Sequence, residues 1–270
     1  MKKLLVLLMS LCMVFSLVAC GGSKEEAESE VAAIKEAGKL VIGITIYEPM
    51  NYKTEDGELV GFDTEYAEAV CEKLGVEPEF VEINWETKEI ELADKKIDCI
   101  WNGFTIREEL KEKLTFTDAY IKNKQVVVIK KSDAEKYTDA ASLEGATVSA
   151  EKGSAGEAVV KTDKALGEVE CVSVTKQTDA LTEVKAGTSQ AAVLDYTLAK
   201  SMVGEGTDYA DLMMIEGLEL AVEEYGIGCR LGSDLVDELN KLTAELTEDG
   251  TMDKIAEKYD LTASLLSNQE

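Results

Sequence analysis

From residue 39 onward the apolar positions follow two alternating rhythms. Short β-rich runs at 39–44, 79–81, 97–101 and 125–130 are separated by stretches of helical spacing. Runs at 50–53 and 58–60 flank Glu55-Asp56-Gly57, a strong turn signal, and predict a hairpin. Asp63 is read as the cap of a helix whose apolar face is Tyr66, Ala67, Val70, Cys71 and Leu74 and which Gly75 closes. After Lys131 the same grammar restarts, with strands at 146–149, 168–174 and 191–194 and helices at 154–161, 179–186 and 196–203. A last strand at 225–229 precedes helices at 234–248 and 252–259. Strands alternating with helices in this way predict an α/β protein with mostly parallel strands. No sequence repeat of fixed period accompanies the restart, and the length allows two lobes or one large one.

One apolar run stands outside this rhythm. Residues 4–19 are almost wholly apolar, follow Lys2 and Lys3, and end in Leu17-Val18-Ala19-Cys20. The run is too short to span a bilayer comfortably, and small residues lead up to the cysteine. It reads as a bacterial lipoprotein signal peptide over 1–20, with a lipid on Cys20 and a flexible tether over 21–35 that begins Gly21-Gly22-Ser23. An ordinary secretory signal that happens to contain a cysteine is the alternative. No later run approaches spanning length, so the expected location is extracytoplasmic, with membrane contact through the Cys20 lipid only.

Composition narrows the chemistry. The chain has 28 basic and 54 acidic residues, and loss of 1–20 removes two lysines and no acid, moving the formal charge from −26 to −28. Nucleic acid is excluded as a partner, because phosphate binding needs clustered Lys and Arg. The acidity itself serves solubility. With no histidine anywhere, Ser-His-Asp and Cys-His nucleophilic sites and imidazole zinc sites are excluded. Beyond residue 20 only Cys71, Cys99, Cys171 and Cys229 remain, widely spaced. They indicate neither a metal site nor a dense disulfide framework; a Cys99–Cys229 bridge is conceivable, buried free thiols the plainer reading. No cofactor and no metal are expected.

Several segments together resemble a known family. Gly38-Lys39-Leu40-Val41-Ile42-Gly43, Tyr47-Glu48-Pro49-Met50 and Gly57-Glu58-Leu59-Val60-Gly61-Phe62-Asp63 are similar to the opening of the family-three solute-binding proteins of ABC importers, which capture polar amino acids. The run from Lys96 to Ile106, then Phe116-Thr117-Asp118-Ala119-Tyr120, Gly153-Ser154, Leu194-Asp195 and Tyr225-Gly226-Ile227-Gly228, continue the resemblance over 36–262. It implies a two-lobed periplasmic-binding-protein type II (Venus-flytrap) fold, each lobe a mostly parallel sheet flanked by helices, joined by two hinge strands. Lobe 1 would comprise 36–124 and 222–262, lobe 2 the segment 125–221, and 263–270 a C-terminal tail. A small polar solute, in this family an amino acid, would be held in the cleft by a monomer, which hands it to an ABC permease with its ATPase.

The resemblance assigns ligand contacts residue by residue, each beside a plainer role. Tyr47 and Trp85 stand where aromatic groups meet the ligand's side chain, or else pack in the core. Asn102, Gly103 and Thr105 end a buried strand, where the Gly103 backbone and the Thr105 hydroxyl would meet an ammonium and a carboxylate, or Thr105 would merely cap a turn. Ser154, before a helix, would join backbone N–H groups on the carboxylate. Asp195 is the expected partner of the α-ammonium and can also cap the helix after it. One departure stands out: the arginine that would clamp the carboxylate is replaced by Leu110, and only Arg107 and Arg230 occur in the chain. Arg107, one turn earlier, either takes over that role or faces solvent beside an acid. Tyr47, Met50, Trp85 and Phe104 make the side-chain pocket partly aromatic, and with no spare lysine in these segments neutral ligands fit better than acidic ones.

Two other classes compete. The family resembles cyclohexadienyl dehydratases, in which Glu48 or Asp195 would be a general acid; the missing histidine and the ammonium partner argue for binding without catalysis. A sensor module would carry a transmembrane helix and an output domain, neither of which the sequence shows.

Overall fold

The computed structural model describes residues 29–269, so the expected signal peptide, Cys20 and most of the tether lie outside the described residues. The first part of the chain forms α1 (Glu30–Ala37), β1 (Lys39–Ile44), β2 (Tyr52–Lys53), β3 (Leu59–Val60), α2 (Phe62–Leu74), β4 (Glu77–Glu82), α3 (Lys88–Ala93), β5 (Cys99–Ile100), α4 (Glu108–Lys111) and β6 (Leu114–Phe116). The long strand β7 (Ile121–Lys130) leads into β8 (Thr147–Glu151), α5 (Ala155–Thr162), β9 (Glu170–Val174), α6 (Gln177–Ala186), β10 (Ala191–Asp195) and α7 (Tyr196–Met202). The longer β11 (Leu212–Tyr225) returns to β12 (Gly228–Arg230), α8 (Leu235–Glu248) and α9 (Thr251–Lys258).

Two five-stranded sheets result, β4-β1-β5-β12-β6 and β11-β7-β10-β8-β9, each helix-flanked and each the centre of a lobe. Both are mixed. In the first, β1 is parallel to β4 and β5 while β12 runs antiparallel to β5 and β6; in the second, β8, β9 and β10 are parallel and β7 and β11 antiparallel. The crossing is a two-stranded ribbon in which β7 pairs with β11 from Ile121↔Tyr225 to Lys130↔Leu212. Both ends of the ribbon are buried: Ile121, Tyr225 and Leu212 belong to one apolar cluster and Ile129 to a second.

Several expectations shift. The strand expected at 125–130 begins at Ile121, because the 121–124 segment continues the ladder with β11. The strand expected at 225–229 is split between β11 and β12, and residues 212–224 form a strand the hydropathy pattern concealed behind its glutamates. Asp63 is not a helix cap: Gly61 takes that position, and the fully buried Asp63 carboxylate accepts Gly103 N–H at 2.6 Å and Tyr120 O–H at 2.8 Å. Residues 30–35, expected within the tether, belong to α1, which Ser29 caps by accepting Ala32 N–H while Asp234 accepts Glu30 N–H at 2.9 Å. The expected tail also docks, with Leu265 buried and bridged to Ile121. Cys99 and Cys229 stand opposite each other in the β5–β12 pair as free buried thiols.

Arg230 fastens α1 to the first sheet. Its Nε donates to Glu30 at 2.5 Å, Nη1 to the Leu92 and Ile97 carbonyls, and Nη2 to Asp98 at 3.2 Å. Arg230→Met would leave two half-buried carboxylates without their cation and take one donor from each of two carbonyls, so a loss of about 2–3 kcal/mol is expected. A lower urea midpoint at unchanged slope is the check.

Candidate functional site

The parallel strands β8 and β10 end at one edge of the second sheet, and each ends in an acid, Glu151 and Asp195. This carboxyl edge faces the first lobe, the usual place for a ligand in an open α/β sheet. Asp195 is buried among amides. Its Oδ1 accepts Asn123 Nδ2–H at 2.8 Å and Gln125 Nε2–H at 2.5 Å, and its Oδ2 accepts Gln177 Nε2–H. Gln177 Oε1 in turn accepts Asp195 N–H at 3.0 Å. Although Asp195 holds the cap position of α7, its carboxylate accepts no helix N–H. The same two amides also donate to Glu223 of β11, at 2.7 Å from Asn123 and 2.8 Å from Gln125, and Thr105 Oγ1 adds a third donor at 3.1 Å. Burial and the neighbouring Asp195 push the Glu223 carboxyl up to about 8, and burial raises Asp195 too. Two carboxylates held this close resist ionising together.

Tyr47 closes the same end. Its hydroxyl shares a 2.6 Å hydrogen bond with Tyr225, and its ring packs against Gly103, where a Cβ would sit 2.6 Å from Tyr47 Cε1. Gly103 also needs its positive φ of 52°. Its N–H, expected to meet a carboxylate, instead donates to Asp63. Asn102 likewise turns inward, donating to Thr45 O at 2.9 Å and Asn51 Oδ1 at 2.7 Å while accepting Thr45 Oγ1–H. Asn102 is therefore a brace of the strand end, because both faces of its amide are spent in the interior.

The opposite end of the cleft is aromatic and positively charged. Trp85 meets Phe104 edge-on at 5.3 Å, and Leu110 packs into the same apolar cluster. Over these rings lies Lys88, 2 % exposed, with Nζ 4.8 Å from the Trp85 centroid and 5.6 Å from that of Phe104. Its ammonium donates to Trp85 O at 3.0 Å and, across the cleft, to Gly153 O at 3.0 Å. Burial, helped by the positive charge of Arg107, brings Lys88 down to about 8. Arg107 itself is half-buried, with Nη1 3.3 Å from the exposed Glu109. Ser154 caps α5 by accepting Glu157 N–H at 3.1 Å, and Glu157 accepts Gly153 N–H at 3.0 Å.

Between the two ends stands Glu151, 4 % exposed, whose carboxylate has no hydrogen-bond donor or ion-pair partner among the described residues. Burial first and Asp195 second push it up to about 8. Outside these groups the lobes touch through Lys152–Glu86 at 2.8 Å, Lys176–Glu82 at 2.9 Å, Lys200–Asp260 at 2.6 Å and Ser201–Glu48 at 2.8 Å. Glu48, considered as a general acid, is spent on this rim.

Sequence reasoning brought together Tyr47, Thr105 and Asp195 at one end and Trp85, Ser154 and Arg107 toward the other. It missed Lys88, Glu151 and Glu223. Two of these left a signal: Lys88 shares the 85/88/92 stripe of a short amphipathic helix, and Glu151, like Asp195, terminates a buried strand. Among the described residues no group of three Cys, Asp or Glu is arranged to hold a metal ion, and no helix is long and apolar enough to cross a membrane.

Two helix-flanked sheets joined by a crossing ribbon, with buried charge where they meet, define a type II periplasmic-binding-protein architecture. Residues 40–262 match the bacterial extracellular solute-binding proteins, family 3, and the chain belongs to that family. It is 30 % identical over 263 residues to the arginine-binding extracellular protein ArtP of Bacillus subtilis (strain 168), covering 96 % of this chain and 98 % of that one. Among solved structures, Tv2483 bound to L-arginine superposes with a TM-score of 0.82 at 25 % identity over 88 % of this chain and 97 % of that one. The ancestral amino acid-binding protein AncCDT-1, a precursor of cyclohexadienyl dehydratase, gives 0.77 at 28 % identity over 86 % and 99 %.

Proposed function

We propose that this protein is a lipid-anchored extracytoplasmic receptor that captures an amino acid between its lobes for an ABC permease and its ATPase, and leaves it chemically unchanged. The observation that carries this reading is the pairing of buried Asp195 with half-buried Glu223, ringed by amide donors at the cleft end of both lobes. Such a pair suits an α-ammonium, which would replace the shared proton or the repulsion it relieves. Tyr47 and Thr105 flank it, while Trp85, Ser154 and Arg107 would meet the rest of the ligand; Gly103 would contribute its carbonyl. The lobes would be 36–124 with 222–262, and 125–221, closing by flexure of the ribbon. A lipid on Cys20 would hold the monomer at the outer face of the membrane. The arginine-binding relatives support an amino acid as cargo.

A melting screen of the mature protein across the amino acids tests this. At a hundred times its dissociation constant the true ligand adds about 2.7 kcal/mol of stability, a shift of several degrees. No shift with any of them would remove the amino-acid assignment.

A second reading has one observation in its favour. A carboxyl held near 8, such as Glu223, would suit a general acid, and AncCDT-1 is a precursor of a dehydratase. Incubation with prephenate or arogenate separates the readings, and no consumption is expected.

A further inference from the structure

We propose that the cargo is an amino acid with a cationic side chain, that Glu151 receives that second cation, and that Lys88 takes the carboxylate. This rests on the reading of the cleft as an amino-acid site.

Charge balance motivates it. Buried charges must be paired or neutralised. The cleft holds three acids, Asp195, Glu223 and Glu151, and one buried base, Lys88. Asp195 and Glu223 share the Asn123 and Gln125 donors so closely that the pair keeps one proton and one negative charge. Glu151, which burial holds protonated below about 8, becomes a second negative charge when it ionises, Lys88 supplies one positive charge, and Arg107 is matched by Glu109. With Glu151 ionised the cleft is one negative charge in excess, which a ligand of net charge +1 cancels, so a cation draws off the Glu151 proton as it binds. A neutral zwitterion leaves Glu151 as it stands now, buried without a donor.

Placement supports the division of labour. Glu151 lies on the carboxyl edge of the second sheet beside Asp195, close enough to both Asp195 and Lys88 to feel their charge, yet paired with neither. The Lys88 ammonium has three donors and spends two on carbonyls, one from each lobe. Its third donor is unspent at the aromatic end. The cation is therefore supplied from α3, over the same rings that Leu110 packs against.

The test is calorimetric titration of the mature protein with L-arginine, L-lysine, L-citrulline (the neutral isostere of arginine) and agmatine (arginine without its carboxylate). Arginine or lysine is expected to bind about 100-fold more tightly than citrulline, because only a cation satisfies the buried carboxylate. Glu151→Gln should erase that preference, weakening the cationic ligand about 100-fold and citrulline less than about threefold. Lys88→Met should weaken arginine similarly and agmatine little, and Arg107→Ala should cost far less than Lys88→Met. The charges facing Glu151 are Asp195 from β10, Asp179 and Lys176 at the start of α6, and Lys88 from α3. Because the acid titrates near 8, the ratio of wild-type to Glu151→Gln affinity for the cation should grow about tenfold or more from pH 6 to 8. Citrulline binding as tightly as arginine, or a ratio flat with pH, would overturn this assignment and leave the amino-acid receptor standing. No binding by any amino acid would overturn both. Since Glu151→Gln removes a buried charge at constant shape, the variant should fold, and an unaltered circular-dichroism spectrum verifies it.

Discussion

Asp195→Asn is expected to cost ligand affinity more than any other single change, by about 2–5 kcal/mol, or roughly thirtyfold to several thousandfold. The substitution keeps the size of the side chain and removes its charge. It also replaces an acceptor oxygen by an NH2 group facing donors already contributed by Asn123, Gln125 and Gln177. An α-ammonium would then be left with Glu223 alone, whose carboxyl burial still raises after the Asp195 charge is gone. The ligand-free protein loses a buried charge along with its hydrogen bonds, so its melting temperature should move far less than its affinity. Titration calorimetry reads the first quantity and thermal melting the second. An affinity within threefold of wild type would make Asp195 a structural residue.

Gly61→Ala should produce the largest loss of stability. Gly61 adopts φ 131°, and a Cβ there would lie 2.2 Å from the Met50 carbonyl oxygen and 2.9 Å from that of Pro49. Those two carbonyls accept Phe62 N–H and Asp63 N–H and so tie the start of α2 to the segment that carries Tyr47. An alanine must break this junction, and about 3 kcal/mol or more is expected from backbone strain and clash together. Gly57→Ala is the control: its φ is also positive, at 85°, but nothing lies within 4 Å, so about 1 kcal/mol is expected. Urea midpoints of the two variants give the comparison, and equal losses would refute the role of the Met50 contact.

The alternation of strand and helix was plain in the sequence because buried strands such as 191–195 are continuous apolar runs and α8 has a clean apolar face. Asp195 was legible for the same reason: an acid at the end of such a run has few structural uses. Glu223 was not, because it is one of 54 acids in the chain and lies in a strand whose other glutamates, such as Glu219 and Glu224, face solvent. Only the pairing of β11 with β7 places it beside Asn123 and Gln125. Asn102 and Asp63 erred in the opposite direction. Polar residues beside a turn suggest ligand contact or capping, yet here they satisfy one another in the interior, which no local pattern reveals. Lys88 was marked only by its place on the buried 85/88/92 stripe, a signal outweighed by the rule that lysine in a short amphipathic helix is ordinarily on the wet side.

The mouth of the cleft is fastened by Lys152–Glu86, Lys176–Glu82 and Lys200–Asp260, all largely exposed. Exposed pairs of this kind contribute about 0–1 kcal/mol each and weaken further as salt screens them. On the proposed reading, departure of the cargo leaves the bond from buried Lys88 to the Gly153 carbonyl, out of reach of salt, as the tie that must break before the jaws part.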